Sequence, residues 1–498
     1  MRWEGLTHAR LAPGLCAALP ALLMLQGCAS LLLGDMESVS AADAVETVPV
    51  PGDWATPAPD ALPDTRWVST FSDELLETYV SEALNNNTDI IAAAETVLAS
   101  RAGVRVSRAE LYPSLNGSLG ARRTERAADP FAGVPGGADS DDTLLSSGLS
   151  ANWEPDFWGR IGDRIDLSEA DLEASEADLA TARLSIAALV SQAYFNVVEA
   201  ERLVALSDDE VATQERSVML TERRYESGVI GRADLSFASS QLAAARALRV
   251  LREQRLIEIK RQLEVFLRRY PSGTVDAATD LPALADFAGA GAPEGVFARR
   301  PDLRAQEARL AAQGFQVALA RKALLPRISL SGNADAAGGG LGSLFDIDAL
   351  IGTLASNLVT PIFQGGRLRG NVELQEAQAR RLVQLYAGSV LDAFQEVENA
   401  LYAEDALLAR EVELQTSLSE ARIAEESLER RYSEGLATIF QLFDAQSRRL
   451  SSQGQLIGVQ RERLANRVRL HVALGGEPLG PEGFAGDVAT PLMATATP

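Results

Sequence analysis

From Arg160 to about Glu226, apolar residues return every seventh position: Ile165, Leu172, Leu179, Ile186, Ala193 and Ala200. A strict seven-residue repeat lays one seam along a helix and predicts packing against equally long neighbours, not burial in a rounded core. Ser168, Ser175 and Ala182 flank the seam and are small enough to let helices approach closely. The stretch has no proline and a single glycine, Gly162. It therefore predicts one helix reaching roughly 100 Å at 1.5 Å per residue. After Gly228 a second helix is predicted from about Ala233 to Arg268, antiparallel to the first across a tight turn. The same pair returns from Arg367 to Glu434 and from Thr438 to Leu474.

Other segments alternate with a period of two. Leu115–Ala121 has apolar or small residues at its odd positions, Leu145–Trp153 alternates and ends on an aromatic, and Ile328–Ala334 alternates cleanly. A fourth, less regular strand covers roughly Ile347 to Ile362. Such alternation is what membrane-barrel strands of about 10 residues show, and a small soluble sheet gives the same pattern. Past the N-terminus no stretch approaches 18 apolar residues, so any membrane crossing must use strands. Bilayers do not tolerate open sheet edges. Four strands close only by sharing a barrel between subunits, eight from a dimer or twelve from a trimer. Upstream, a helix is predicted from Ser72-Asp73-Glu74 to about Arg108, ending before Pro113.

The pattern is duplicated. Arg224-Tyr225-Glu226-Ser227-Gly228 recurs as Arg431-Tyr432-Ser433-Glu434-Gly435, an offset of 431 − 224 = 207, shared by Gly159-Arg160 and Gly366-Arg367. Pro113 and Pro326 lie 326 − 113 = 213 apart, as do Asp89-Ile90 and Asp302-Leu303, so the first copy has the longer loop between Pro113 and Gly159. The expected organisation is a signal segment over 1–27, an extended arm over 28–70 and a first repeat over 71–269. A linker over 270–299, a second repeat over 300–474 and a tail over 475–498 follow.

Composition narrows the function. Among 498 residues, 69 acidic against 46 basic give a net charge of −23, which disfavours nucleic acid as a partner. Two histidines occur, and His8 lies in the N-terminal segment, leaving His471. With no Walker motif, triad or metal-ligating cluster, an enzyme is not expected, and no cofactor is. Arg2 and Arg10 precede an apolar run from Leu11 to Leu25, which reads as an export signal. It ends in Leu25-Gln26-Gly27-Cys28, resembling a lipobox in which Gln26 replaces the usual small residue. A covalent lipid is expected on Cys28, the alternative being ordinary cleavage nearby that leaves a free thiol.

In this order the motifs resemble the TolC-like outer membrane factor family, in its OprM- and NodT-type efflux lipoprotein branch. The resemblance runs from Trp67 to Leu474. It rests on the lipobox, Asp73-Glu74-Leu75 with Ala83-Leu84-Asn85, Arg299-Arg300-Pro301-Asp302-Leu303, Phe157-Trp158-Gly159-Arg160 with Gly365-Gly366-Arg367, and the paired Arg-Tyr-x-x-Gly turns.

The implied fold class is an α+β membrane protein with an internal two-fold repeat. Long coiled-coil hairpins and four transmembrane strands per chain would complete a 12-stranded barrel and a 12-helix periplasmic tunnel as a homotrimer in outer membrane lipid. The resemblance makes Gly228-Val229-Ile230 and Gly435-Leu436-Ala437 docking tips for a periplasmic adaptor (a membrane fusion protein), which links the duct to an inner-membrane RND pump. It also makes Phe440 an apolar ring and Asp444 a cation-favouring acidic ring at a periplasmic gate, with Arg431 and Tyr432 as tethers. The implied function is a passive exit duct for drugs or small solutes. Alternatives are the duct of a type I protein secretion system and a lipid-anchored coiled-coil scaffold without a pore.

Overall fold

The computed structural model describes residues 48–59, 61–64, 66–126, 140–342, 348 and 350–479. Cys28, the signal segment and most of the tail lie outside them. Two series of elements follow one another. The first is α1 (Glu74–Asn86), α2 (Thr88–Ala109), β1 (Ser114–Arg126), β2 (Ser140–Trp153), α3 (Arg160–Glu226) and α4 (Arg232–Phe266). The second is α5 (Gly295–Arg299), α6 (Pro301–Lys322), β3 (Arg327–Gly338), β4 (Ile351–Val359), α7 (Arg367–Ser433) and α8 (Ile439–Ala473). α2 and α6 have 22 residues each, α3 and α7 67 each, and α4 and α8 35 each.

The helix expected from Ser72 to Arg108 is two helices. Asn87 is extended (ψ 135°), its side chain donating to the Phe266 carbonyl at 3.0 Å and accepting from the Asp89 N–H at 2.9 Å. An asparagine that bonds the backbone on both sides offers the chain an alternative to the helical ladder, so the helix breaks and restarts. At the start of α1, Asp73 accepts from the Leu75 and Leu76 N–H groups and also from the buried Tyr194 hydroxyl at 2.7 Å.

The described residues form two compact units. One, comprising 99–172 and 307–384, contains the whole sheet. Strand order is β1-β2-β3-β4, all antiparallel. Its strands depart from the expected bounds: β1, β2 and β3 are longer, because ladder pairing continues past the alternating apolar core, and β4 covers Ile351–Val359 of the expected span, whose start at Ile347 lies outside the described residues. Register sorts the side chains. Leu115 and Leu119 on β1 stand opposite Ala151 and Ser147 on β2, and Ala151 and Leu149 stand opposite Gly332 and Ala334 on β3. Leu330 and Ile328 pair with Ser356 and Leu358 on β4. Opposed residues share a face, so this face is mainly Leu, Ile, Ala and Gly. The other carries Asn116, Ser118, Arg122, Ser150, Asn152, Asn333 and Asp335. Leu115, Leu119, Leu149, Leu354 and Leu358 are all exposed.

The motif before α3 has a local cause. Gly159 takes φ +68°, Asp156 caps α3 by accepting from the Ile161 and Gly162 N–H groups, and the Trp158 indole donates to the Pro326 carbonyl at 2.7 Å.

The second unit comprises 48–98, 173–306 and 385–479. Leu179, Ile186, Ala193 and Ala200 of the seam are buried within it. Arg300 forks onto Asp302 at 2.8 and 3.1 Å, reaches Glu396 at 2.6 Å and donates to the Ala473 carbonyl, while Arg299 donates to the Leu474 carbonyl. Two guanidinium groups thus satisfy the carbonyl end of α8, where the helix dipole favours cations. The last part of the N-terminal arm is a 3-10 turn, Trp67–Phe71, with Trp67, Val68 and Phe71 buried. Further upstream, Glu398 accepts from the Ala55 and Thr56 N–H groups at 2.6 and 3.0 Å.

His471 is 1% exposed, stacked 5.7 Å from Trp67, and neither ring nitrogen has a partner among the described residues. Burial, reinforced by the nearby Arg467 cation, pushes its pKa from the usual 6.5 down to about 3. Between these values the unfolded chain binds a proton that the folded chain refuses, so stability falls as pH drops from 6.5 toward 3 and levels off below. His471→Phe is expected to remove this component and move the acid-unfolding midpoint, followed by circular dichroism, to lower pH. An unchanged midpoint would clear His471 of that role.

Candidate functional site

The two hairpin turns are built alike. At the end of α3 the Val229 N–H reaches back to the Arg224 carbonyl at 3.0 Å and the Gly228 N–H to the Tyr225 carbonyl at 2.9 Å, with Gly228 at φ +69°. At the end of α7 the Leu436 N–H bonds the Arg431 carbonyl at 2.7 Å and the Gly435 N–H the Tyr432 carbonyl at 3.1 Å, with Gly435 at φ +80°. This is the Schellman arrangement, which needs a residue tolerant of positive φ at the glycine position. It commonly seats an apolar residue after the glycine against the helix's last turn. Here the facing residues are Arg224 and Arg431, and the apolar ones stay exposed, Val229 at 63% and Leu436 at 66%. Ile230 and Ala437 are half-buried. The turns then diverge: Gly231 precedes α4 without a side-chain cap, whereas Thr438 caps α8 in a reciprocal box with Gln441.

Tyr432, 2% exposed, lies at the centre of the contacts behind the turns. Its hydroxyl is 3.0 Å from the Thr221 hydroxyl, its carbonyl accepts from Arg224 at 2.6 Å, and the same guanidinium sits 4.6 Å over its ring. Ala238, Ile439, Leu442 and Phe443 complete the buried cluster around it. Arg431, paired with Tyr432 in the sequence reading, is exposed, and its guanidinium has no partner among the described residues. The cation that holds Tyr432 is Arg224 from the first copy. The recurrence of Arg224-Tyr225 as Arg431-Tyr432 marked both positions, yet the resemblance gave the tether role to Arg431 and Tyr432 alone.

Phe440, 58% exposed, packs 4.8 Å from Phe237, which also meets Phe443 edge-on at 5.2 Å. One turn further on, Asp444 is exposed on the same face of α8 and accepts from Arg448 at 2.8 Å. Arg449 points inward, paired with Asp209 at 2.8 Å and with Glu425. Burial raises the Glu425 carboxyl above its usual range, opposed by Arg449. Thr221, Arg224 and Phe237 are therefore parts of this site that sequence reasoning missed.

These turns, the long antiparallel helices and the amphipathic sheet agree with the comparisons. The model of the family described as outer membrane efflux protein matches residues 79–281 and 292–476. This chain belongs to that family. It is 31% identical over 437 residues to the pyoverdine export outer membrane protein OpmQ of Pseudomonas putida, covering 86% of this chain and 92% of that one. To the solvent efflux pump outer membrane protein SrpC of Pseudomonas putida it is 30% identical over 474 residues, 92% of this chain and 97% of the relative. The solved outer-membrane channel OprN superposes with a TM-score of 0.78 at 26% identity, covering 86% of this chain and 97% of that one. The fold is that of the TolC-like outer membrane channels, mostly helical with a small sheet, and the protein is an outer membrane efflux component. Among the described residues no helix is long and apolar enough to cross a membrane, and no group of His, Cys, Asp and Glu could hold a metal ion.

Tyr432→Phe is expected to cost about 1 kcal/mol, and Tyr432→Ala roughly 3–5 kcal/mol. Both should appear as faster amide exchange over residues 217–224 and 428–446. Equal effects of the two variants would place the weight on the hydroxyl and not on the ring.

Proposed function

We propose that this protein is the passive outer membrane exit duct of a tripartite efflux system. The observation that carries the reading is the sheet, amphipathic by register and open at both edges. Its apolar face, with Leu115, Leu119, Leu149, Leu354 and Leu358 exposed, suits acyl chains, and its polar face suits water. β1 and β4 present unpaired backbone groups that a bilayer penalises by several kcal/mol each. Three copies joining β4 to β1 make a 12-stranded barrel and remove every edge, while the two long hairpins of each copy supply twelve tunnel helices. The equal helix lengths in the two series support the internal duplication. A pore-free scaffold leaves the apolar face without a purpose.

The exposed Val229 and Leu436 beside their turns are the contact points for a periplasmic adaptor reaching an inner-membrane RND pump. OpmQ is named for pyoverdine export and SrpC for solvent efflux. An exported small molecule is the corresponding cargo here, and energy comes from the pump. At the aperture Phe440 forms an apolar ring on Phe237, Asp444 faces the passage, and Tyr432 with Arg224 and Thr221 ties the second hairpin to the first. Cys28 carries the lipid that holds the mature N-terminus at the membrane. The helical part lies in the periplasm.

Purified protein in planar bilayers should conduct ions in discrete steps, and a complete lack of conductance would restore the scaffold. Val229→Asp with Leu436→Asp should abolish resistance to exported compounds while trimers persist in the membrane; undiminished resistance would remove the turns as docking points. A photoreactive residue at Leu436 should capture an adaptor encoded with an RND pump, whereas one partnered with an ABC exporter would transfer the duct to type I secretion. Cys28→Ser should end incorporation of radiolabelled fatty acid, and persistent label would place the anchor elsewhere.

A further inference from the structure

The exposed face of α8 behind its turn carries one ion pair. Arg448 donates to Asp444 at 2.8 Å, and both side chains stand in solvent. An acid four residues before a base is the favourable order on a helix. Such a pair adds little stability; its consequence is for charge. From Ile439 to Gln460 the charged residues are Asp444, Arg448 and Arg449, and Arg449 is turned inward onto Asp209 and Glu425. The neighbouring exposed positions Gln441, Ser447, Ser451 and Gln455 are neutral. At the 207-residue offset, α4 has the neutral Ala233, Phe237 and Gln241 in place of Phe440, Asp444 and Arg448, while the half-buried Asp234 stands in place of Gln441.

We infer that Arg448 sets the ionic selectivity of the aperture by cancelling Asp444 in each copy, leaving a charge-balanced ring that admits anionic as well as cationic solutes. The inference rests on the reading that Asp444 faces the passage. A bare ring of carboxylates concentrates cations and repels anions. With a guanidinium 2.8 Å from each carboxylate, the field beyond a few ångströms becomes a dipole's and falls off faster than that of a net charge. The chain's overall charge of −23 makes a cation-selective duct the default, so balance at this level is a local property of one side chain.

The test is the reversal potential of the purified full-length protein in planar bilayers under a KCl gradient. It should be run in the native sequence and in a Phe440→Ala background, where loss of the apolar ring keeps current measurable. The native ring should discriminate weakly. Arg448→Ala should shift the permeability ratio toward potassium by about threefold or more, Asp444→Ala should shift it toward chloride, and the double variant should return it to the native value. If Asp444→Ala moves the ratio and Arg448→Ala does not, Asp444 keeps its place and the cancellation is refuted. A strongly potassium-selective native channel refutes it too. If neither variant moves the ratio, the aperture reading falls and takes the inference with it.

Discussion

A four-stranded antiparallel sheet leaves a row of unpaired N–H and C=O groups along each outer strand, and hydrocarbon supplies no partner for them. Here β1 and β4 are those strands. The register that joins β1 to β2 and β2 to β3 also gathers Leu115, Leu119, Leu149 and Ile328 on one face and Asn116, Ser150 and Asp335 on the other. One arrangement of backbone bonds therefore decides both what each face of the sheet presents and which two strands are left unpaired. The proposed closure of the sheet between chains answers that constraint.

The helical unit meets a different constraint. Long helices packed by a seven-residue seam need fixed ends, and this chain fixes them with buried polar groups. Arg299 and Arg300 hold the carbonyl end of α8, Asp73 caps α1 while accepting from Tyr194, and Tyr432 is held by Arg224 and Thr221. Each buried group has a partner that loses a bond if it leaves, and unpaired buried polar groups are expensive. The short motifs with family resemblance are mostly these fastenings. Arg300-Pro301-Asp302 combines a forked ion pair with a proline at the first helical position, where no N–H is needed.

The two series differ just past their turns. The glycine and its two reaching N–H groups are the same at both, since the backbone conformation dictates them. Beyond the glycine the copies differ: Gly231 stands where the other has Thr438, Ala233 where it has Phe440, and Phe237 where it has Asp444. Phe237 and Phe440 end up in tilted ring contact although they come from different helix positions. Two helices of equal length thus bring aromatic residues from both series together, while the Asp444–Arg448 pair belongs to the second alone.

Much was legible in the sequence because it is written in local periodicity. The ends of α3, α4, α7 and α8 fall within a residue or two of those expected, since a heptad without proline bounded by glycine specifies a helix on its own. The two glycine turns were legible for the same reason, and strand positions followed from period-two alternation. What needed tertiary structure was pairing. Which residue of β2 faces which of β3 depends on register between segments nearly two hundred residues apart, and alternation alone does not number the partners. The break at Asn87 depends on the distant Phe266 carbonyl. That Arg224, rather than Arg431, grips Tyr432, and that Arg448 offsets Asp444, are facts of side-chain placement. A linear pattern gives the face a residue occupies; only packing selects its partner.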